Sequence, residues 1–248
     1  MIRNQWYAVL ESKEVKKGKM IGVKRMGERM LFWRNEAGQV ACLVDQCPHR
    51  GAQLSAGKIV DGHVQCPFHG LEFDAAGECV YVPSIGRAAG PQDKFNAVTY
   101  PVKEMNDLIF IFWGTLEEGQ TLPEVGWLDE LDHNDFVYTT VVDHWDVDYS
   151  RVIENQLDVA HLWLVHHNTI GRGNKRVVDG PVVEWCCEWT EPNLMNIWVK
   201  NRVDDGKSIG KKPNEVVKPD RHAFLQMRIP NLWQNWITDD MRILGVFV

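Results

Sequence analysis

Short apolar runs of strand length fill the first half of the chain. Residues 20–24, 29–34 and 39–44 are rich in Val, Ile, Leu, Phe and Trp, and Gly, Glu and Asn turn signals separate them. Val64 leads into a loop that carries Cys and His, and Leu71-Glu-Phe-Asp74 leads out of it. Asp74-Ala-Ala-Gly-Glu78 predicts a hairpin turn into the run Cys79-Val-Tyr-Val-Pro83. Residues 98–103 and 108–113 close an all-β set, and the Gly/Pro/Ala-rich stretch 83–95 reads as an ordered connection.

The pattern changes near residues 114–123, where Glu117-Glu118-Gly119-Gln120 interrupts the apolar periodicity. We place a domain boundary there, giving an all-β domain over 1–116 and a second domain over 117–248. The second domain is read as a strand over 137–142, then residues 143–150 leading into a helix, then a sheet. In that sheet Val183, Trp185, Cys187 and Trp189 share one face, with Glu184, Cys186 and Glu188 on the other. Trp198, Trp233 and Trp236 fall in strands expected to border an apolar pocket. Residues 204–221 are polar and read as a long loop. Residues 232–237 and 241–248 form a hairpin, with Asp239 and Asp240 in its turn.

Composition narrows the class. The 248 residues are 44% hydrophobic and 25% charged, which is ordinary for a globular protein. A net charge of −7 with no basic run argues against nucleic acid. The longest apolar runs are strand-length, too short for a bilayer, and the first residues lack the apolar core of a signal peptide. A cytoplasmic protein is therefore expected. Of six Cys, four (Cys42, Cys79, Cys186, Cys187) read as small buried apolar residues rather than disulfide partners.

The other two carry the chemistry. Cys47-Pro-His49 and Cys66-Pro-Phe-His69 are separated by the sixteen residues between His49 and Cys66. Each pair offers one thiolate and one imidazole. Two thiolates on one iron and two imidazoles on the other is the ligand set of a Rieske [2Fe–2S] centre. Neutral imidazoles in place of two thiolates make the cluster less negative, so it accepts an electron more readily. A structural zinc site is the rival, since Cys2His2 also suits tetrahedral zinc. Zinc fingers usually pair Cys with Cys and His with His, whereas each loop here carries one of each. Each loop also ends in Gly (Gly51, Gly70), which lets backbone approach a cluster.

A second constellation lies on the predicted helix. Asn155, Asp158 and His161 are spaced by three and share one helical face. His161 and His166 are five positions apart, about 140° on a straight helix. A π-bulge or a break between them brings both imidazoles to one ion. Two imidazoles and a carboxylate suit non-heme Fe(II), with open positions for O2 and substrate.

The two cluster loops, together with Asn155, Asp158, His161 and His166, resemble the Rieske non-heme iron aromatic-ring oxygenases of the α-subunit type. The run 61–74 is similar to the vanillate and dicamba O-demethylase branch. The resemblance implies an α+β fold: an antiparallel Rieske domain, then a helix-grip-like catalytic domain with a curved antiparallel sheet. It implies a Rieske cluster on Cys47, His49, Cys66 and His69, and a mononuclear iron on His161 and His166. It also implies a homotrimer in which Asp158 links the cluster of one subunit to the iron of the next, and an Asn155 that hydrogen-bonds beside the iron. The expected partners are a reductase, in some systems a ferredoxin, delivering electrons from NAD(P)H, with O2 and a small aromatic compound as substrates.

One feature departs from that pattern. The third iron ligand is normally a late carboxylate, and Asp239 and Asp240 read as turn residues. We therefore expect the chain to be incomplete, with that ligand beyond Val248. Arg202 and Arg228 are candidates for a substrate carboxylate by charge alone, and Arg50 for a contact over the cluster. His167 is not assigned to iron, and His63, His133, His144 and His222 match no motif. The leading reading is an oxygenase that hydroxylates or O-demethylates an aromatic substrate. The alternatives are a Rieske electron-transfer protein with a vestigial catalytic domain, and a sensor that binds an aromatic ligand without turning it over.

Overall fold

The computed structural model describes residues 1–128, 136–158, 161–168, 183–201, 225–238 and 241–248. The chain divides into two compact units, Met1–Gly126 and Trp127–Phe247. The expected α+β class holds: the first unit is all-β, and the described part of the second combines two short helices with an antiparallel sheet.

The first unit holds ten strands in three antiparallel sheets. Strands β1 (Gln5–Glu11), β10 (Leu108–Trp113) and β9 (Val102–Met105) form one sheet, in that order. Strands β2 (Met20–Arg25), β3 (Glu28–Arg34) and β4 (Val40–Val44) form the second. The third runs β5 (Lys58–Val60), β6 (His63–Gln65), β7 (Glu72–Phe73) and β8 (Cys79–Tyr81). Strand β3 explains how these layers stack. Met30 and Phe32 point into a core shared with Tyr7, Val9, Ile109 and Ile111, while Leu31 and Trp33 point into a core with Leu54, Val64 and Phe73. A strand buried on both faces has no polar side to show, hence its unbroken apolar run.

Strand β1 is an element that the sequence reading missed. Tyr7-Ala-Val-Leu10 is buried throughout, so no alternation marks it. The predicted turn at Asp74 is present. Its Oδ1 accepts from the Ala76 and Glu78 N–H groups at 2.9 and 2.8 Å.

In the second unit α1 (Tyr149–Leu157) and α2 (Leu162–Val165) precede five strands: β11 (Val183–Glu191), β12 (Leu194–Asn201), β13 (Leu225–Arg228), β14 (Leu232–Thr238) and β15 (Met241–Val246). They pair in sequence order, each antiparallel to the next. Register shifts near the ends of β11 and β14 bend the sheet. Ile153 and Leu157, one turn apart on α1, pack on Ile197, Leu225, Met227 and Trp233. That contact holds the helix on one face of the sheet.

Two expectations fail here. Residues 137–142 form no strand. Val137, Val141 and Val142 are exposed, and no described strand pairs with them, so their β-branched character has no ladder to join. On β11 it is Cys186 that packs against Trp198 and Trp236, while Cys187 and Trp189 are exposed. Alternation defines two faces but not which of them is covered. Trp198, Trp233 and Trp236 are buried core residues. The side chains of Val183, Glu184 and Trp185 lie outside the described part, as do Arg202, residues 204–221, His133, His222, Asp239 and Asp240.

Candidate metal centres

The two Cys/His loops share one backbone frame. The Cys47 N–H donates to the Ala52 carbonyl at 2.8 Å, and the Gly51 N–H donates back to the Cys47 carbonyl at 2.8 Å. In the second loop the Cys66 N–H donates to Leu71 at 2.8 Å, and Gly70 donates to Cys66 at 3.1 Å. In both, a glycine four residues after Cys takes a left-handed conformation, φ 71° at Gly51 and 75° at Gly70. Only glycine does so without strain, which is why each loop ends there. Within this frame His stands two residues after the first Cys and three after the second.

The frame brings like ligands together. The Cys66 thiol lies within hydrogen-bonding reach of Cys47, and the His49 and His69 rings are 4.7 Å apart. The two cysteines are buried, at 2% and 3% exposure, whereas both imidazoles are exposed on this chain. Burial pushes the Cys47 thiol up to about 11. The backbone N–H groups of His49 and Arg50 point at its sulfur and oppose that rise. Hydrogen bonds to a buried sulfur, with two thiols on one side and two imidazoles on the other, fit a two-iron cluster. Among the described residues no three His, Cys, Asp or Glu side chains converge on one ion. Arg50 contributes its backbone N–H, and its side chain is exposed.

The second pair sits where the chain leaves α1. Asp148 caps that helix, its side chain accepting from the Ser150 N–H at 2.9 Å. The helix stops at Leu157 because Asp158 turns extended (φ −82°, ψ 112°). The His161 carbonyl then accepts from Leu164 and Val165, at 3.1 and 2.8 Å, and starts the single turn of α2. The expected geometry is corrected on two points. Asp158 does not continue the helical face of Asn155. The interruption lies at Asp158, before His161, and no bulge separates the two imidazoles. Instead His161 and His166 flank one turn of helix, with ring centroids 5.2 Å apart. The Asp158 carboxylate stands 3.5 Å from His161 Nδ1, a buried atom with no hydrogen bond among the described residues. With Nδ1 toward the carboxylate, Nε2 is left for a metal. Asn155 is exposed on α1, and His167 Nδ1 engages the Leu164 carbonyl at 2.9 Å.

Arg228 is removed from the substrate-binding candidates. It is buried and committed: its guanidinium donates to Glu191 Oε2, to Asn193 Oδ1 at 2.8 Å and to the Trp127 carbonyl at 2.8 Å.

Residues 5–101 match the model of the Rieske [2Fe-2S] domain. The chain is 37% identical over 169 residues to the oxygenase component of dicamba O-demethylase from Stenotrophomonas maltophilia, covering 66% of this chain and 48% of that protein. The chain carries a Rieske [2Fe-2S] domain and is similar to Rieske non-heme iron oxygenases. A second relative, the vanillate O-demethylase oxygenase subunit of a Pseudomonas species, is 31% identical over 73% of this chain and 49% of its own length. A crystal structure of dicamba monooxygenase bound to dicamba superposes with a TM-score of 0.67 at 24% identity, covering 98% of this chain and 71% of that one. That likeness establishes the fold of both units. The chain spans about half the length of these curated relatives. The cofactors that go with the family, a Rieske [2Fe–2S] cluster and a mononuclear iron, are those that the two donor sets fit. No helix among the described residues is long and apolar enough to cross a membrane.

Proposed function

We propose that this chain is the terminal oxygenase component of a system that hydroxylates or O-demethylates an aromatic compound. The observation that carries this reading is the His161/His166 pair beside Asp158, on the same chain as the Cys/His loops. An electron-transfer protein needs only the loops, so the second pair speaks against that alternative. When bound, the two iron centres supply one-electron transfer and activation of O2.

The residues divide the work. Cys47 and Cys66 hold the buried side of the cluster, and His49 and His69 hold its exposed side. Exposed imidazoles place the exit for electrons at the surface of residues 1–116, the proposed Rieske domain. His161 and His166 hold the mononuclear iron in the proposed catalytic domain, 117–248. A carboxylate completes that set, and no described residue is assigned to it. Asp158 fixes the tautomer and orientation of His161 through Nδ1. In a homotrimer, the same exposed carboxylate reaches toward a cluster imidazole of a neighbouring subunit. Asn155 lies one turn before it and hydrogen-bonds within the site. Electrons come from NAD(P)H through a reductase, with or without a ferredoxin, in the cytoplasm. Relatives named for dicamba and vanillate point to methoxylated aromatic acids as the first substrates to try.

The test is an oxygen-electrode assay with NADH, a reductase and each aromatic acid. Substrate-dependent O2 uptake that His161→Ala abolishes, with the cluster spectrum intact, is the expected result. Uptake that survives His161→Ala contradicts the assignment.

A further inference from the structure

The two cluster loops are closed at their bases in different ways. The second springs from a ladder: Gln65 on β6 pairs with Glu72 on β7, and Gln65 Nε2 donates to Glu72 Oε1 at 2.9 Å. The first leaves β4 at Asp45 and ends at the single turn Leu54–Ala56, with no strand pairing across its base. A carboxylate stands in for the missing rung. Asp45 Oδ1 accepts from the Ser55 N–H at 2.6 Å. Its Oδ2 accepts from Ser55 Oγ at 2.6 Å and from Gln53 Nε2 at 3.0 Å. Strand β2 makes room for this strap: a Cβ on Gly22 would lie 2.5 Å from Ser55 Oγ and 3.1 Å from Asp45 Oδ2.

The strap is also a charge. Asp45 is 4% exposed, and its oxygens meet only the donors of Ser55 and Gln53, the hydrogen-bond set of an ionised carboxylate. No Lys, Arg or His among the described residues pairs with it. The buried carboxylate at the other loop, Glu72, faces Arg87 at 3.6 Å. Asp45 stands two residues before Cys47, within about 7 Å along the chain. A charge this close, 4% exposed and without an ion pair among the described residues, is screened less than a surface charge.

We propose that Asp45 is a positioning residue for the cluster. Its carboxylate ties the ends of the first ligand loop, and its uncompensated charge lowers the reduction potential of the cluster held there. This rests on Cys47 and His49 being cluster ligands.

The test compares Asp45→Asn, which keeps a hydrogen-bonding side chain and removes the charge, with Ser55→Ala, which keeps the charge and removes the Ser55 Oγ bond of the strap while leaving the Ser55 N–H and Gln53 bonds. Potentials are read by EPR-monitored titration, and cluster retention by visible absorbance in the presence of a chelator. The expected results are a higher potential in D45N, an unchanged potential in S55A, and faster cluster loss in S55A than in the wild type. D45N isolated without cluster, alongside fast loss in S55A, also supports the strap. A D45N potential equal to the wild type's, or S55A retention equal to the wild type's, overturns the inference. Wild-type protein without a His-ligated cluster signal fails the underlying assignment instead, so the two failures are distinguishable.

Discussion

Replacing Gly70 by Ala tests the shared loop frame most sharply. Gly70 has φ 75°, and a Cβ there would lie 3.0 Å from Cγ of the Pro83 ring. Gly27 supplies the control, with φ 81° and nothing within 4 Å of its would-be Cβ. A left-handed conformation costs an L-residue about 1–2 kcal/mol. The lower entropy of the unfolded Ala chain returns about 0.4–1 kcal/mol. Gly27→Ala is thus expected to destabilise by roughly 1 kcal/mol. Gly70→Ala adds overpacking against a stiff ring, about 1–3 kcal/mol more. Gly51→Ala falls between them, because its Cβ would meet only the end of the Gln46 side chain, at 3.1 Å. Urea unfolding of the three variants measures this. At a slope of about 2 kcal/mol per molar, the Gly70 and Gly27 variants differ by about 0.5–1.5 M in midpoint. A Gly70→Ala midpoint no lower than that of Gly27→Ala refutes the geometry of the second loop.

Three further outcomes follow from the packing. Arg34 donates to both Glu104 oxygens and holds that carboxyl below its ordinary value. A depressed carboxylate contributes fully above its unfolded value and is lost as pH falls through the folded one. Urea midpoints of the wild type should therefore fall more steeply between about pH 5 and 3 than those of Glu104→Gln. Arg228→Ala breaks a buried guanidinium from half-exposed Glu191, and we expect a loss of about 2–4 kcal/mol in thermal or urea unfolding. The same variant should not discriminate between aromatic carboxylates and their methyl esters, and a carboxylate-specific loss would restore Arg228 as a substrate ligand. Leu157→Ala uncovers the contact of α1 with the sheet, so amide exchange in α1 should accelerate well beyond exchange in β13.

The Cys/His loops were legible because their pattern is local: two Cys, two His, the two loop-closing glycines and their spacing lie in a stretch of 24 residues, 47–70. The strands β2, β3 and β4 were legible for the same reason, as runs bounded by turn residues. Strand β1 was not, since Tyr7-Ala-Val-Leu10 is buried on both sides and shows no period. The motif from Asn155 to His166 named residues of which His161, His166 and Asp158 come together, but in another geometry than a continuous helix gives. Nothing in the order Gln156-Leu157-Asp158 announces that Asp158 turns extended; that depends on the packing of Ile153 and Leu157 against the sheet. Likewise, the covered face of β11 is decided by Trp198 on β12 and Trp236 on β14, not by the alternation of β11 itself. Arg228 looked available by charge, and only the fold brings Glu191 to it.

The central claim is the cluster on Cys47, His49, Cys66 and His69. Its most direct test is iron, zinc and acid-labile sulfide per purified chain, with EPR of the reduced protein. The account predicts two labile sulfides per chain, at least two irons, and the low-average-g signal of a His-ligated cluster, with the sulfide, two of the irons and that signal lost in Cys47→Ser. One zinc per chain with no labile sulfide would contradict it.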